Sequence, residues 1–153
     1  MGWEGIWKVV LLSAAPISEL RGGLPLALTM GVPAPLAYLV PVVANLLPVP
    51  FLLWGLGRLL PLVGRLPGRG GQAARRFLGW QRRRHARRYA RWGDVALIVI
   101  VAVPLPATGA WTGALVATLL AVPRRRAFTL IALGVCIAGV VVLLASLGLL
   151  ALA

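Results

Sequence analysis

Residues 94–122 read DVALIVIVAVPLPATGAWTGALVATLLAV, and the fold turns on how this stretch lies between its flanks. Before it, residues 64–92 hold Arg65, Arg69, Arg75, Arg76, Arg82, Arg83, Arg84, Arg87, Arg88 and Arg91, and no acid. After it come Arg124, Arg125 and Arg126. An excess of Lys and Arg marks the cytoplasmic flanks of membrane segments, so both clusters are expected on the same side. A spanning helix needs about 20 apolar residues, and two with a turn need about 40–45. The 29 residues available are too few for two spans. One span would put an arginine cluster outside. Pro104, Pro106, Gly109 and Gly113 break the helix in the middle. The expectation is therefore a re-entrant hairpin over 94–122, with a broken tip near mid-depth. Irregular backbone at that depth is tolerated only where it is buried in protein or lines a water-filled cavity.

The rest of the composition agrees with a membrane setting. Of 153 residues 60% are apolar and 12% charged, with a mean hydropathy of +0.92. Soluble domains average about 45–50% apolar and about 25% charged. Sixteen Lys+Arg stand against three acids, Glu4, Glu19 and Asp94. One Cys (Cys136) excludes a disulfide framework within the chain, and one His (His85) excludes a His-based metal cluster. No metal site, catalytic set or cofactor is expected. A cleaved signal peptide over 1–20 reads poorly, because Glu4 sits in the n-region and Pro16 follows the small residues of the would-be cleavage site.

Residues 127–150 read as one uninterrupted span and 34–60 as another, kinked by Pro41, Pro48 and Pro50. Residues 6–32 are again too many for one span and too few for two. Pro16-Ile-Ser-Glu-Leu-Arg-Gly-Gly-Leu-Pro25 in their middle makes a second broken tip, entered from the outer side. Two repeats follow, 1–60 (hairpin 6–32, span 34–60) and 94–150 (hairpin 94–122, span 127–150). Both termini are expected outside. At a constant offset of 90, residues 16–33 lie over 106–123 without gaps. Pro16, Gly23, Ala27, Val32 and Pro33 then meet Pro106, Gly113, Ala117, Val122 and Pro123. Hairpins entering from opposite faces form an inverted repeat, a transporter architecture with its site where the tips meet.

Between the repeats, 64–92 reads as a cytoplasmic basic amphipathic segment. Leu78, His85, Tyr89 and Trp92 share one helical face with arginines on the others. An interfacial helix on the inner leaflet is expected, with Arg82, Arg83, Arg84, Arg87 and Arg88 on anionic headgroups. Gly64–Gly71 is expected to be a flexible connector, and His85 a solvated or interfacial side chain. Trp3, Trp7, Trp54, Trp80 and Trp92 fit an aromatic belt, and Cys136 packs in the last span. Phe77, Trp80, Tyr89 and Trp92 among arginines also suit base stacking. The apolar flanks argue instead for lipid, and no nucleic-acid partner is expected.

Glu19 and Arg21 are the charges expected within the membrane on the outer side, where an ionisable residue costs about 2.5–3.5 kcal/mol on insertion scales. Glu19 is a candidate proton carrier and Arg21 a fork for a carboxylate or phosphate. Their alternative is a fixed ion pair closing the tip. Thr108, Gly109, Thr112 and Gly113 offer hydroxyls and backbone groups at the other tip, or simply pack it. Asn45 is either a substrate contact or an interhelical hydrogen bond. Asp94 is an N-cap or an interfacial ion pair rather than a proton relay, and Trp111 a candidate cavity wall.

The stretches Pro16–Pro25, Asn45-Leu-Leu-Pro-Val-Pro50 and Pro104–Ala114 resemble those of the bacterial and archaeal family of putative small multidrug export proteins, over nearly the whole chain. That family is in turn similar to the DedA (VTT-domain) superfamily, thought to carry paired re-entrant hairpins and implicated in moving lipids between leaflets. The resemblance implies an ion-coupled transporter or lipid translocase of the inner (plasma) membrane, not an enzyme.

The fold class expected is thus an all-α integral membrane protein: two re-entrant hairpins, two long spans and a basic interfacial helix. The function expected is transport of an anionic or amphipathic small molecule or lipid through a site at the two tips. The alternative is a non-transporting scaffold or assembly factor that binds anionic lipid through its basic helix. Two spans and two hairpins make a thin bundle, so at least a homodimer is expected.

Overall fold

Apolar runs punctuated by Pro and Gly fold into eight helices among the residues that the computed structural model describes, 3–16, 18–63, 65–103 and 109–152. They are α1 (Trp3–Ala14), α2 (Glu19–Thr29), α3 (Ala34–Leu46), α4 (Pro48–Val63), α5 (Gly68–Trp92), α6 (Asp94–Ala102), α7 (Ala110–Leu119) and α8 (Arg124–Leu152). The paired short helices α1–α2 and α6–α7 each pack together, with α1 ending at Ala14 and α2 opening at Glu19, and with α6 ending at Ala102. Their apolar stretches are shorter than a bilayer's hydrocarbon core requires.

Among the described residues two helices are long and apolar enough to cross a membrane, Ala34–Val63 and Arg124–Leu150. The first is α3 and α4 read together. Leu47 still donates to the Val43 carbonyl at 3.0 Å, but Pro48 has no N–H, so the ladder misses a bond there. Leu47 keeps helical dihedrals (φ −55°, ψ −45°), so the chain does not turn back. α8 runs longer than the expected 127–150, because Arg124–Arg126 form its first turn. Leu24, Leu97, Val101, Val116, Ile131 and Val135 form the heart of the core. α8 packs on α2, α3, α4, α6 and α7 and so lines that core from end to end.

The turns after α2 and α7 match at the offset of 90. Met30, Gly31 and Val32 donate to Leu26, Leu28 and Ala27 at 3.0, 2.9 and 3.1 Å. Leu120, Ala121 and Val122 donate to Val116, Thr118 and Ala117 at 3.0, 3.1 and 2.9 Å. Gly31 (φ +75°) and Ala121 (φ +55°) take the left-handed conformation that closes such helix ends. Packing follows the same correspondence. α2 touches α3 and α8, while α7 touches α8 and α4.

α5 corrects three expectations. The helix already begins at Gly68, so the connector before it is short; Arg75 Nη1 ties this turn to the Leu66 carbonyl at 3.0 Å. The face bearing Leu78, His85 and Tyr89 is turned to protein, since α5 packs on α4, α6 and α7. His85 is consequently buried rather than solvated. Burial, with Arg84 and Arg88 beside it, lowers its pKa from the ordinary value near 6.5. The exposed side of α5 carries Phe77 and Trp80 with ring centroids 6.2 Å apart. Arg84 lies over the Trp80 ring at 5.1 Å. Trp92 is exposed too, away from Tyr89. Tyr89 OH donates to Asp94 Oδ1 at 3.2 Å, and Arg126 Nε donates to Asp94 Oδ2 at 2.7 Å. Asp94 is thus an ion-pair partner and not a cap, and it joins the ends of α5, α6 and α8.

Candidate functional site

The break of the first helix pair meets the start of α7. Glu19 opens α2 with φ +46°, a left-handed conformation that costs an ordinary residue about 1–2 kcal/mol. This geometry aims its side chain across the bundle. There its carboxylate accepts backbone hydrogen bonds from the N–H groups of Ala110 and Trp111, the first two residues of α7. A helix start offers unpaired N–H groups and the positive end of the helix dipole, so a carboxylate is held well there. Gly109 makes the approach possible. Its φ of +137° is open only to glycine. A Cβ at this position would overlap Glu19 Oε2 and stand 2.5 Å from Cδ. Glu19 and Gly109 are equivalent positions at the offset of 90, and they touch.

The contact is reciprocal. Trp111 Nε1 donates to the carbonyl of Ala14, at the end of α1, at 3.1 Å. A carboxylate from the first pair thus holds the N-terminus of α7, and an indole from the second pair holds the C-terminus of α1. Trp111 therefore ties the breaks together instead of walling the cavity expected of it.

That cavity lies beside the contact. Glu19, Leu20, Arg21, Asn45, Val101, Gly109, Ala110, Val135, Ala138 and Val142 line it. Its volume of about 10 Å³ admits about one water molecule. Glu19 is 7% exposed and Asn45 3%. Arg21 is close enough to act electrostatically on the Glu19 carboxylate. Asn45 Oδ1 is buried with no hydrogen-bond partner among the described residues. A buried carbonyl oxygen without a donor costs roughly 1–3 kcal/mol. An N–H or O–H donor brought beside it offsets that cost. Within one chain Glu19, Asn45 and Gly109 are all buried.

Of the sequence-derived candidates, Glu19, Arg21, Asn45 and Gly109 come together here. Thr112 is half-buried in the first turn of α7 and is not among the described residues lining the cavity. Thr108 lies outside the described residues. Arg82, Arg83, Arg84, Arg87 and Arg88 are exposed on α5. Sequence reasoning missed the amides of Ala110 and Trp111 and the carbonyl of Ala14. The offset pairing of Glu19 with Gly109 was the signal available for the first, and no side chain announced the second.

Residues 19–141 match the family described as putative small multi-drug export protein. The chain belongs to that family. The match opens on Glu19 and runs through α8 past Ala138, so it contains nearly the whole lining of the cavity. No curated protein and no solved structure matches the chain. The family name and the two long apolar helices are those of a membrane export protein and point to transport rather than catalysis.

Proposed function

We propose that the chain is an ion-coupled transporter that moves an anionic or amphipathic small molecule or lipid across the bilayer through the junction of the two broken helix pairs. One observation carries the reading. A buried carboxylate, Glu19, sits on the N-terminus of a helix from the other half of the chain, beside Arg21 and an Asn45 oxygen lacking a donor. Charge in the hydrocarbon region is expensive and marks ion and substrate pathways. The turns and packing that match at the offset of 90 support an inverted repeat, with the helix pairs as re-entrant hairpins. The likeness of the motifs to DedA-type proteins belongs to this same reading. The arginine clusters then lie in the cytoplasm and both termini outside.

In this mechanism Glu19 is the switch. Ionised, it holds the start of α7 and closes the junction. Protonated, it loses much of its attraction to the helix dipole and to Arg21. The carboxylate is then released from α7, and Arg21 and the two amides become available to an anion. The competing scaffold reading draws on the exposed arginines of α5 but gives no role to a buried carboxylate facing a cavity.

The test is Glu19→Gln in proteoliposomes, which keeps the shape and removes the titration. Wild type is expected to move a fluorescent amphipathic anion, carboxyfluorescein, at a rate that follows the pH gradient. The variant is expected to reach the membrane folded and lose that dependence. Unchanged pH dependence in Glu19→Gln would make the carboxylate a structural cap and defeat the coupling.

A further inference from the structure

We infer a second binding site, for one anionic phospholipid, in the groove between α4 and α8 at the arginine-bearing end of the bundle. Pro50, Leu53, Trp54, Arg124, Arg125 and Phe128 line this groove, whose volume is about 360 Å³. Two chemistries meet in it. Leu53, Pro50 and Phe128 make an apolar floor running along α4 and α8, in reach of an acyl chain. Arg124 and Arg125 stand at its mouth as the first two residues of α8.

A third guanidinium borders it. Arg58 lies flat over the Trp54 ring, with Cζ 3.9 Å from the ring centroid. Arg124 reaches α4, with its Nη2 3.4 Å from the place a Cβ at Gly57 would take. Among the described residues no carboxylate balances these cations. Of the three acids in the chain, Asp94 is taken by Arg126. Glu19 is buried at the junction of the breaks. Glu4 opens α1 at the opposite end of the bundle. The groove is a positive mouth above an apolar trough, at the level where an exposed Trp marks the edge of the bilayer. Guanidinium forks hold phosphate oxygens bidentately. A lipid is the ligand that presents a phosphate and a chain together.

The groove joins the two halves of the chain, since α4 belongs to the first and α8 to the second. A lipid seated there braces one half against the other. The site shares no residue with the junction around Glu19, and it stands whether or not that junction transports.

The experiment uses the full chain purified in detergent, titrated with phosphatidylglycerol. Bound lipid is counted by native mass spectrometry, and the unfolding temperature is followed alongside. One tightly held phosphatidylglycerol and a saturable rise in unfolding temperature are expected. An arginine near an anionic headgroup changes affinity about fivefold, so R124Q/R125Q is expected to weaken binding about 30-fold. R124K/R125K keeps the charge, loses the fork and is expected to fall between. R65Q/R69Q removes the same charge elsewhere and is expected to bind as wild type. Equal loss in R65Q/R69Q would show diffuse attraction and overturn the site. So would equal binding of phosphatidylcholine, because the net charge would then be irrelevant. An equal rise with inorganic phosphate would remove the lipid from the proposal and overturn it as well.

Discussion

Substituting Gly109 by alanine adds one methyl group at the point where the two helix pairs touch. Two costs follow. The backbone at φ +137° is a glycine-only conformation, and forcing alanine into it costs about 1–3 kcal/mol. The new Cβ also overlaps Glu19 Oε2 and lies 2.7 Å from Oε1, so the carboxylate must leave. Its hydrogen bonds to Ala110 and Trp111 are then lost, and bonds to a charged group contribute about 1.5–3 kcal/mol each. Gly109→Ala should therefore destabilise by roughly 3–6 kcal/mol, counting one bond fully lost and the other partly replaced by water. The second cost disappears when the carboxylate is already gone. In a Glu19→Ala background the same change should cost only the backbone strain. The double-mutant cycle should thus show a coupling of about 1.5–3 kcal/mol, within the range seen for touching residues. Unfolding of the four purified proteins in detergent, followed by circular dichroism, measures it. Additivity to within about 0.5 kcal/mol would mean that Glu19 and Gly109 are not in contact, and the junction described above would be wrong.

Trp111→Phe keeps the ring and removes the Nε1–H that holds the Ala14 carbonyl, so a loss of about 1 kcal/mol in the same assay is expected. His85 is held neutral in the folded protein by burial and by Arg84 and Arg88, with its pKa below the ordinary value. Its contribution to the docking of α5 is therefore complete above about pH 6.5 and declines as pH falls below that value. Hydrogen exchange of α5 amides should accelerate below pH 6.5 in wild type and much less in His85→Gln. Single cysteines at positions 68 and 124, in a Cys136→Ser background, should both be protected from a membrane-impermeant maleimide applied outside cells. Opposite sidedness would rule out the re-entrant path for 94–122.

The helix layout was legible because Pro, Gly and Arg are strong punctuation. Two arginine clusters 29 residues apart, with Pro104 and Pro106 between them, demanded a broken pair of short helices, and α6 and α7 are that pair. The offset of 90 was legible because both exit turns need a left-handed residue and a following Pro. What the apolar pattern does not distinguish is lipid from protein as the neighbour of an apolar face. Leu78, His85, Tyr89 and Trp92 read as one membrane-facing stripe, yet His85 is buried and Tyr89 packs against the core, while Phe77, Trp80 and Trp92 are exposed. Partners from the main chain were invisible for a different reason. The amides of Ala110 and Trp111 and the carbonyl of Ala14 belong to no residue type, so only the placement of helix ends exposes them.

The asymmetry of the junction follows from its geometry. Where equivalent positions of two halves approach each other, the space between them admits one side chain. Glu19 fills the space that Gly109 leaves empty. Two glutamates would put like charges in contact within a bundle that offers each only one helix N-terminus. Two glycines would leave the start of α7 uncapped, with buried N–H groups unpaired at a cost of about 1–3 kcal/mol each. One carboxylate and one glycine satisfy the α7 amides, avoid the repulsion and leave Arg21 on a single side. The half that carries Glu19 and Arg21 holds the charge and the half that carries Gly109 supplies the dipole, so in the proposed mechanism protonation of Glu19 weakens the hold of each half on the other.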